Sequence, residues 1–318
     1  MITARKVLRA WRIRGSVGDT KAMSSQPKHD PVMLEEILEI LPLHPEATVV
    51  DGTIGLGGHS LELSKRIAPG GRLIGLDWDS SMLSIARERL YAGQEVQIDL
   101  HHLDFRRMRE VVAEGAADAI LLDLGLNSAQ VDNPERGFSF NADAQLDMRM
   151  DSSGSEPASA ALNRMSMGEI EQMLWDLGDE RWARAIAREI VERRKTRPLR
   201  TTQDLVACVL AAIPAGAREK RIHPSTRTFQ AVRIFVNREL EGLGEALQDA
   251  AACLAPGGVL ALLSYHSGED RLVKGAFRAL DGHGFAELFR KPRTPSQQEI
   301  LRNPRSRSAK LRAIRRDS

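Results

Sequence analysis

The string DGTIGLGGHS, residues 51–60, decides the fold. A β-branched run, TVVD (48–51), leads into it, and LELSKRIA (61–68) leaves it with helical spacing. Between them stand glycines at 52, 55, 57 and 58. Strand, glycine turn and helix in that order open a βαβ unit, where glycine lets the chain turn sharply and lets a ligand approach the backbone. Pro69-Gly70-Gly71 stops the helix, and RLIGLD (72–77) follows as a second strand ending on Asp77, 20 residues beyond Gly57. An acid at that strand end accepts hydrogen bonds from the ribose hydroxyls of an adenosine cofactor.

The same alternation extends outward. Asp79-Ser80-Ser81 is an N-cap signal for a helix running to about Leu90. VQIDLHHL (96–103) predicts a third strand, with Asp104 placed to cap the turn after it. ADAILLDLG (117–125) is almost wholly apolar and predicts a fourth strand buried on both faces. Four strands alternating with helices predict a doubly wound α/β sheet. The alternation then stops. Residues 141–222 are polar, Arg-rich and helical in pattern, with WARAIAREIVERR (182–194) and TTQDLVACVLAAI (201–213) parted at Pro198. A helix-length stretch from Thr226 to Leu254 precedes a fifth strand in GGVLALLSYHS (257–267). The expected architecture is a sheet domain interrupted by a helical insertion.

Composition narrows the function classes. The chain has 318 residues, 42% hydrophobic and 28% charged, which is globular usage. No apolar run reaches the roughly 18 residues of a membrane helix. Cys208 and Cys253 stand in no metal or disulfide spacing. Neither lies at a strand end of the crevice, which disfavours pyrimidine C5 chemistry through a thiolate. The net charge of +2 hides segregation: residues 181–238 carry 14 Lys/Arg against 4 Asp/Glu, and residues 288–318 carry 10 against 2. Such a chain can present a basic face to a polyanion while staying near neutral overall.

Asp51 helps to choose the cofactor. An acid beside a diphosphate is repelled, whereas the methionine end of S-adenosylmethionine carries an ammonium and a sulfonium that it complements. A nicotinamide-dependent oxidoreductase is the rival reading of the same turn. Phe105, just past the third strand, is placed to stack on adenine or to pack in the core. DLGLNSAQ (123–130) leaves the fourth strand with Asp123, Asn127, Ser128 and Gln130 at the active edge. Methylation of an amine needs an acceptor there to take the released proton, a role open to Asp123 or to the Asn127 carbonyl.

Several longer strings carry a resemblance. HDPVMLEEIL (29–38), DGTIGLGGHS, DLGLNSAQ, RGFSFNADAQLDMRMD (136–151), HPSTRTFQAVRIFVNREL (223–240), PGGVLALLSYHSGEDRLVK (256–274) and NPRSRSAKLR (303–312) occur in this order. With them the chain resembles the MraW family (also called RsmH) from His29 to Arg315. The resemblance implies a class I, Rossmann-like methyltransferase sheet with an inserted helical domain. It implies transfer of a methyl group from S-adenosyl-L-methionine to N4 of a cytidine in the decoding region of small-subunit ribosomal RNA. Its cofactor contacts carry over onto Gly57, Gly58, His59, Asp77, Phe105, Asp123 and Gln130, and no metal is implied. Asp123 and Asn127 are the catalytic candidates, joined by His266, which follows the fifth strand directly.

The chain departs from the family pattern at Leu126-Asn127-Ser128, at Ser225 and at Tyr265 and Gly268, which bears on contacts to the target base. A substrate-shifted or inactive relative, acting as an RNA-binding ribosome-assembly factor, is the alternative. The expected division is a basic, disordered extension over 1–29, a methyltransferase domain over 30–135 and 223–318, and an RNA-recognition insertion over 136–222. Arg305, Arg307, Lys310 and Arg312 are candidate phosphate contacts, in an alternation that suits an exposed edge strand. The partner is small-subunit ribosomal RNA or the assembled small subunit, with no membrane, and monomer or homodimer stays open. The expected location is the bacterial cytoplasm, with the mitochondrial matrix as the alternative suggested by the Arg-rich start.

Overall fold

The first strand, Thr48–Asp51 (β1), alternates its valines between two hydrophobic cores: Val49 faces one and Val50 the other. Strand periodicity of two and burial on both faces therefore coincide, as a parallel sheet requires. In this computed structural model, which describes residues 30–91, 95–125, 136–151 and 156–318, β1 sits inside a seven-stranded sheet. The other strands are Arg72–Asp77 (β2), Gln97–His102 (β3), Ala117–Asp123 (β4), Leu254–Ser264 (β5), Phe285–Glu287 (β6) and Lys310–Arg316 (β7). Their order is β3-β2-β1-β4-β5-β7-β6, with β1 to β5 parallel and β7 antiparallel to both of its neighbours. This is the class I, Rossmann-like sheet expected from the sequence. Strand order reverses between β1 and β4, so the ligand crevice of a doubly wound sheet opens at their carboxyl ends.

Helices Leu34–Ile40 (α1), Gly58–Ile67 (α2) and Ser80–Leu90 (α3) pack on one face of the sheet. The second face is covered by helices Leu243–Cys253 and Ser267–Leu280 and by the 3-10 turn Phe105–Glu110. Asp79 caps α3 by accepting from the Ser81 amide at 3.0 Å, and Asp104 caps the 3-10 turn by accepting from the Arg106 amide at 2.9 Å.

The stretch expected as one helix-length element from Thr226 to Leu254 is broken. Arg238 takes a left-handed conformation (φ 50°), ending the helix Thr226–Asn237, and a second helix occupies Leu243–Cys253. Leu254 already belongs to β5.

A third core lies outside the sheet. It is built by Phe138, the LDMRMD segment, and helices Ala158–Arg164, Met167–Gly178, Ala183–Thr196 and Thr202–Ala212. Thr226–Asn237 joins this layer through Phe229, Val232 and Val236. Its backbone comes so close to Gly178 that an added Cβ there would meet the Arg227 carbonyl at 2.7 Å. The helical layer therefore runs past residue 222, because this helix turns its apolar face away from the sheet. The expected edge strand is also corrected: β7 is inserted between β5 and β6.

Candidate functional site

Three aspartates end three adjacent strands: Asp51 on β1, Asp77 on β2 and Asp123 on β4. Register sets Asp51 beside Gly75 and Leu121, so the three carboxylates surround the glycine turn at the switch point. The turn is tied to them directly. Asp51 accepts from the Ser60 hydroxyl at 2.6 Å and the Thr53 amide at 3.2 Å. Asp77 accepts from the Gly55 amide at 2.9 Å and the Asp79 amide at 2.8 Å. The Thr53 hydroxyl accepts from the Asp123 amide at 2.6 Å.

Gly57 has the left-handed conformation (φ 74°) at the N-cap of α2, which any Cβ would strain. Gly52 is glycine for packing instead, since a Cβ there would lie 2.4 Å from Leu122. Gly58 begins α2, followed by His59.

Burial dominates the electrostatics. Asp51 is 2% exposed and Asp77 is 8% exposed. Among the described residues neither has a Lys or Arg partner. Desolvation raises the Asp51 carboxyl above its ordinary range, and pushes Asp77 up to about 6 against the two amides that lower it. Adjacent buried acids without a resident cation suit a ligand that brings positive charge and hydroxyl donors.

The His59 Nε2–H donates to the Val32 carbonyl at 2.9 Å, because a carbonyl can only accept. This places a proton on Nε2 and turns Nδ1 toward Asp123, 3.8 Å from Oδ2. The chain at Val32, just before α1, is thereby tied to the site. Phe105 opens the 3-10 turn and is half-buried against the core that holds Val50, Ile74 and Leu122.

Asp123 is one-fifth exposed, and its Oδ1 accepts from the Gly125 amide at 3.2 Å. Tyr265, at the end of β5, brings its hydroxyl to this carboxylate and lays its ring over Gly125, where a Cβ would meet it at 2.6 Å. Burial pushes the phenol well above its ordinary range. Thr53 is a site residue that the motifs do not single out, and Tyr265 stands in them only as a departure from the family pattern. Thr53 lay inside the quoted glycine string. Asn127 and Gln130 lie outside the described residues.

His266 plays an identifiable structural part. It is the N-cap of the helix Ser267–Leu280, with Nδ1 accepting from the Glu269 amide at 3.3 Å. Glu269 closes the capping box by accepting from the amides of Tyr265 and His266 at 2.7 and 3.2 Å. The His266 side chain is 7% exposed, and its Nε2 stands 3.0 Å from Glu269 Oε1 without hydrogen-bond alignment. Glu239 completes a cluster with both. A cation is poorly served there, because Arg233 grips Glu239 at 2.9 and 2.8 Å and the capping bond leaves the proton, not the lone pair, on Nε2.

The basic candidates near the C-terminus divide. Lys310 and Arg312 both bind Asp270, at 2.9 and 2.7 Å, and Arg312 is 5% exposed, so these two are structural cations. Arg305 and Arg307 are exposed on the 3-10 turn Pro304–Ser308. In LDMRMD, Arg149 and Asp147 neutralise each other through two bonds of 2.7 and 2.9 Å.

Arg136 is a further residue whose importance only the fold reveals. Its Nη2 donates to Asp79 Oδ2 at 3.0 Å and to the Met150 carbonyl at 2.7 Å, bridging the sheet and the helical layer. Asp79 in turn donates its amide to Asp77.

Comparison with known proteins agrees with this frame. The family model described as "MraW methylase family" matches residues 26–317. "Ribosomal RNA small subunit methyltransferase H" of Heliobacterium mobile is 46% identical over 308 residues, covering 91% of this chain and 98% of its own. The protein of that name from Heliobacterium modesticaldum is 44% identical, covering 90% and 97%, and that from Coxiella burnetii is 39% identical, covering 90% and 98%. Matched by the family model over residues 26–317 and by a relative 46% identical over 91% of its length, the chain belongs to the MraW methylase family.

Proposed function

We propose that this protein methylates N4 of one cytidine in the decoding region of small-subunit ribosomal RNA. The observation that carries the reading is the trio of strand-end aspartates around the Gly57 turn, in a chain 46% identical to a named ribosomal RNA small subunit methyltransferase. S-adenosylmethionine supplies the methyl group and leaves as S-adenosylhomocysteine.

On this reading Asp77 accepts from the ribose hydroxyls, and Phe105 flanks the adenine. Gly57, Gly58 and His59 line the approach to the backbone, with Gln130 contributing from beyond β4. Asp51 and Asp123 supply the negative field that a sulfonium and an ammonium need. Transfer forms an N4–CH3 bond as the S–CH3 bond breaks, and one N4 proton must leave. Asp123 or the Asn127 carbonyl accepts it. His266 holds the end of β5 in place beside them. The exocyclic amine is engaged in a base pair within a duplex, so the target cytidine enters unpaired or extruded. The helical layer and Arg305 and Arg307 face the RNA, in the bacterial cytoplasm where the subunit is assembled.

The deciding test is methyl transfer from labelled S-adenosylmethionine to small subunits that lack the modification, read by nucleoside mass spectrometry. N4-methylcytidine at a single site is the expected product. Asp123→Asn is expected to lower transfer by about 100-fold while cofactor affinity moves only a few-fold, the range for loss of a general base. No transfer and no cofactor binding by the unaltered protein overturns the reading in favour of an assembly factor, and retained cofactor binding with no transfer overturns the substrate in favour of a shifted one.

The Arg136 bridge gives a second expectation. Arg136→Met leaves the buried Asp79 carboxylate without its cation and loosens the turn that presents Asp77. Affinity for S-adenosylhomocysteine should fall about tenfold by calorimetry, the usual size for loss of a hydrogen bond to a charged group. An unchanged affinity would assign Arg136 to the helical layer alone.

A further inference from the structure

A groove on the helical layer stands apart from the cofactor crevice. It encloses about 380 Å³ and is lined by Glu171, Gln172, Trp175 and Asp176 on one side and by Arg181 and Arg184 on the other. Trp175 is 61% exposed, while its helix buries Ile170, Met173 and Leu174 on the opposite face. An indole left in water on a polar stripe forgoes a large burial gain.

The arginines are equally unusual for their place. Arg181, Arg184 and Arg188 fall at spacings of three and four, on one exposed face at the start of the helix Ala183–Thr196. That end of a helix carries positive partial charge and favours acids; buried Glu180 meets this by accepting from the Trp182 amide at 3.0 Å, but the exposed first turn has no acid to offset the arginines. Further along the same helix the cations are paired, Arg193 with Glu189 and Lys195 with Glu192. Among the described residues Arg181, Arg184 and Arg188 have no carboxylate partner. Local stability is thus poorly served by both the indole and the cations, and a ligand that uses both accounts for them.

The groove also adjoins the catalytic edge. Asp179, one helical turn beyond Trp175, accepts from the Ser267 hydroxyl at 2.6 Å, and Ser267 follows His266 at the end of β5.

We propose that this groove docks the single-stranded RNA flanking the target cytidine. Trp175 stacks on an unpaired base, and Arg181, Arg184 and Arg188 face the phosphates. Glu171 and Asp176 repel the backbone from the other rim, so the strand has one orientation across the indole. A duplex offers no free base face and is excluded. The proposal deepens the ribosomal RNA reading and rests on it.

The test uses the full chain and a short single-stranded oligoribonucleotide of decoding-region sequence, with its duplex as competitor. Trp175→Ala should weaken oligonucleotide binding about tenfold, within the range for one base–aromatic stack, and Trp175→Phe should restore most of it. Replacing Arg184 and Arg188 by Gln should reduce the slope of log affinity against log salt by about 0.7 for each phosphate that is no longer neutralised. Both variants should keep their affinity for S-adenosylhomocysteine and raise KM for RNA more than they lower kcat.

Unchanged affinity and salt slope, with the unaltered protein binding the oligonucleotide, overturn the groove assignment alone. An unaltered protein that neither binds the oligonucleotide nor methylates small subunits overturns the RNA reading itself. Loss of a dimer in Trp175→Ala, with RNA binding intact, gives the groove to a second copy of the chain and likewise overturns the proposal.

Discussion

Replacing Asp77 by Asn is expected to lower affinity for S-adenosylhomocysteine by about 100-fold, from the loss of two charge-assisted hydrogen bonds at 1.5–3 kcal/mol each, partly offset by the remaining amide oxygen. The geometry explains why so small a change costs so much. Both carboxylate oxygens of Asp77 already accept from backbone amides, Gly55 on one side and Asp79 on the other. An asparagine offers one acceptor and one donor, so one of those amides would face an N–H, and the glycine turn or the α3 cap would have to move. The remaining lone pairs, which the proposed ribose contacts would use, are halved as well.

The Asp77 carboxyl also makes pH a direct probe. With its proton lost only near pH 6, about one-tenth of the molecules carry the charged acceptor at pH 5 and about nine-tenths at pH 7. Cofactor affinity should therefore rise about tenfold between these values and level off above them, and Asp77→Asn should abolish that rise. Stability of the free protein runs the other way. The folded state holds this proton up to about pH 6, whereas the unfolded chain releases it near 3.8. Between those values the folded state binds more protons, so stability falls as pH rises, by up to about 3 kcal/mol from this group. Calorimetric titrations and urea melts from pH 4.5 to 7.5 read the two opposite slopes. Parallel slopes, or a pH dependence that survives in Asp77→Asn, would assign the titration to another group.

Much of the strand-end side of the candidate site was legible in the sequence because its causes are local. A β-branched run before Asp51, glycines where φ turns positive, and Asp-Ser-Ser at a helix start each constrain the chain within a few residues. The place of Asp77 at the end of β2 was legible from spacing alone, since one βαβ unit fixes how far apart two strand ends lie. The misread features share the opposite property. SRSAKLRAI has the alternation of an edge strand, but β7 is covered by β6, and Asp270 from 40 residues upstream turns Lys310 and Arg312 into structural cations. The helix Thr226–Asn237 has an amphipathic pattern that any apolar partner would satisfy, and nothing in it names the helical layer over the sheet. Its end at Arg238 carries no glycine or proline signal. Arg136 and Tyr265 act through contacts with Asp79 and Asp123, some 57 and 142 positions away, and no local motif encodes either pairing.

The largest expected loss of stability lies at that same junction. Arg233→Met should destabilise the protein by about 3–5 kcal/mol, the cost of stranding one partner of a buried ion pair. Arg233 and Glu239 have side chains only 17% and 9% exposed and are joined by two parallel bonds. The pair spans the left-handed break at Arg238, so it closes the end of the last helix in the helical layer before the chain returns to the sheet. Removing the guanidinium leaves the Glu239 carboxylate buried beside Glu269, whose Oε2 accepts from the amides of both Tyr265 and His266. Two like charges would then face each other at the end of β5, and relief must come from proton uptake or from movement of the site. The melting midpoint of Arg233→Met should drop by roughly 5–8 °C at neutral pH and recover in part as pH is lowered, because protonating Glu239 removes the stranded charge. Glu239→Gln should cost about as much, by stranding the cation instead. The double change to Arg233→Met with Glu239→Leu should regain most of the loss, since an apolar pair of similar volume avoids both desolvation terms. Single variants within 1 kcal/mol of the unaltered protein, or a double variant whose loss is the sum of both, would show that the junction is held by its packing alone.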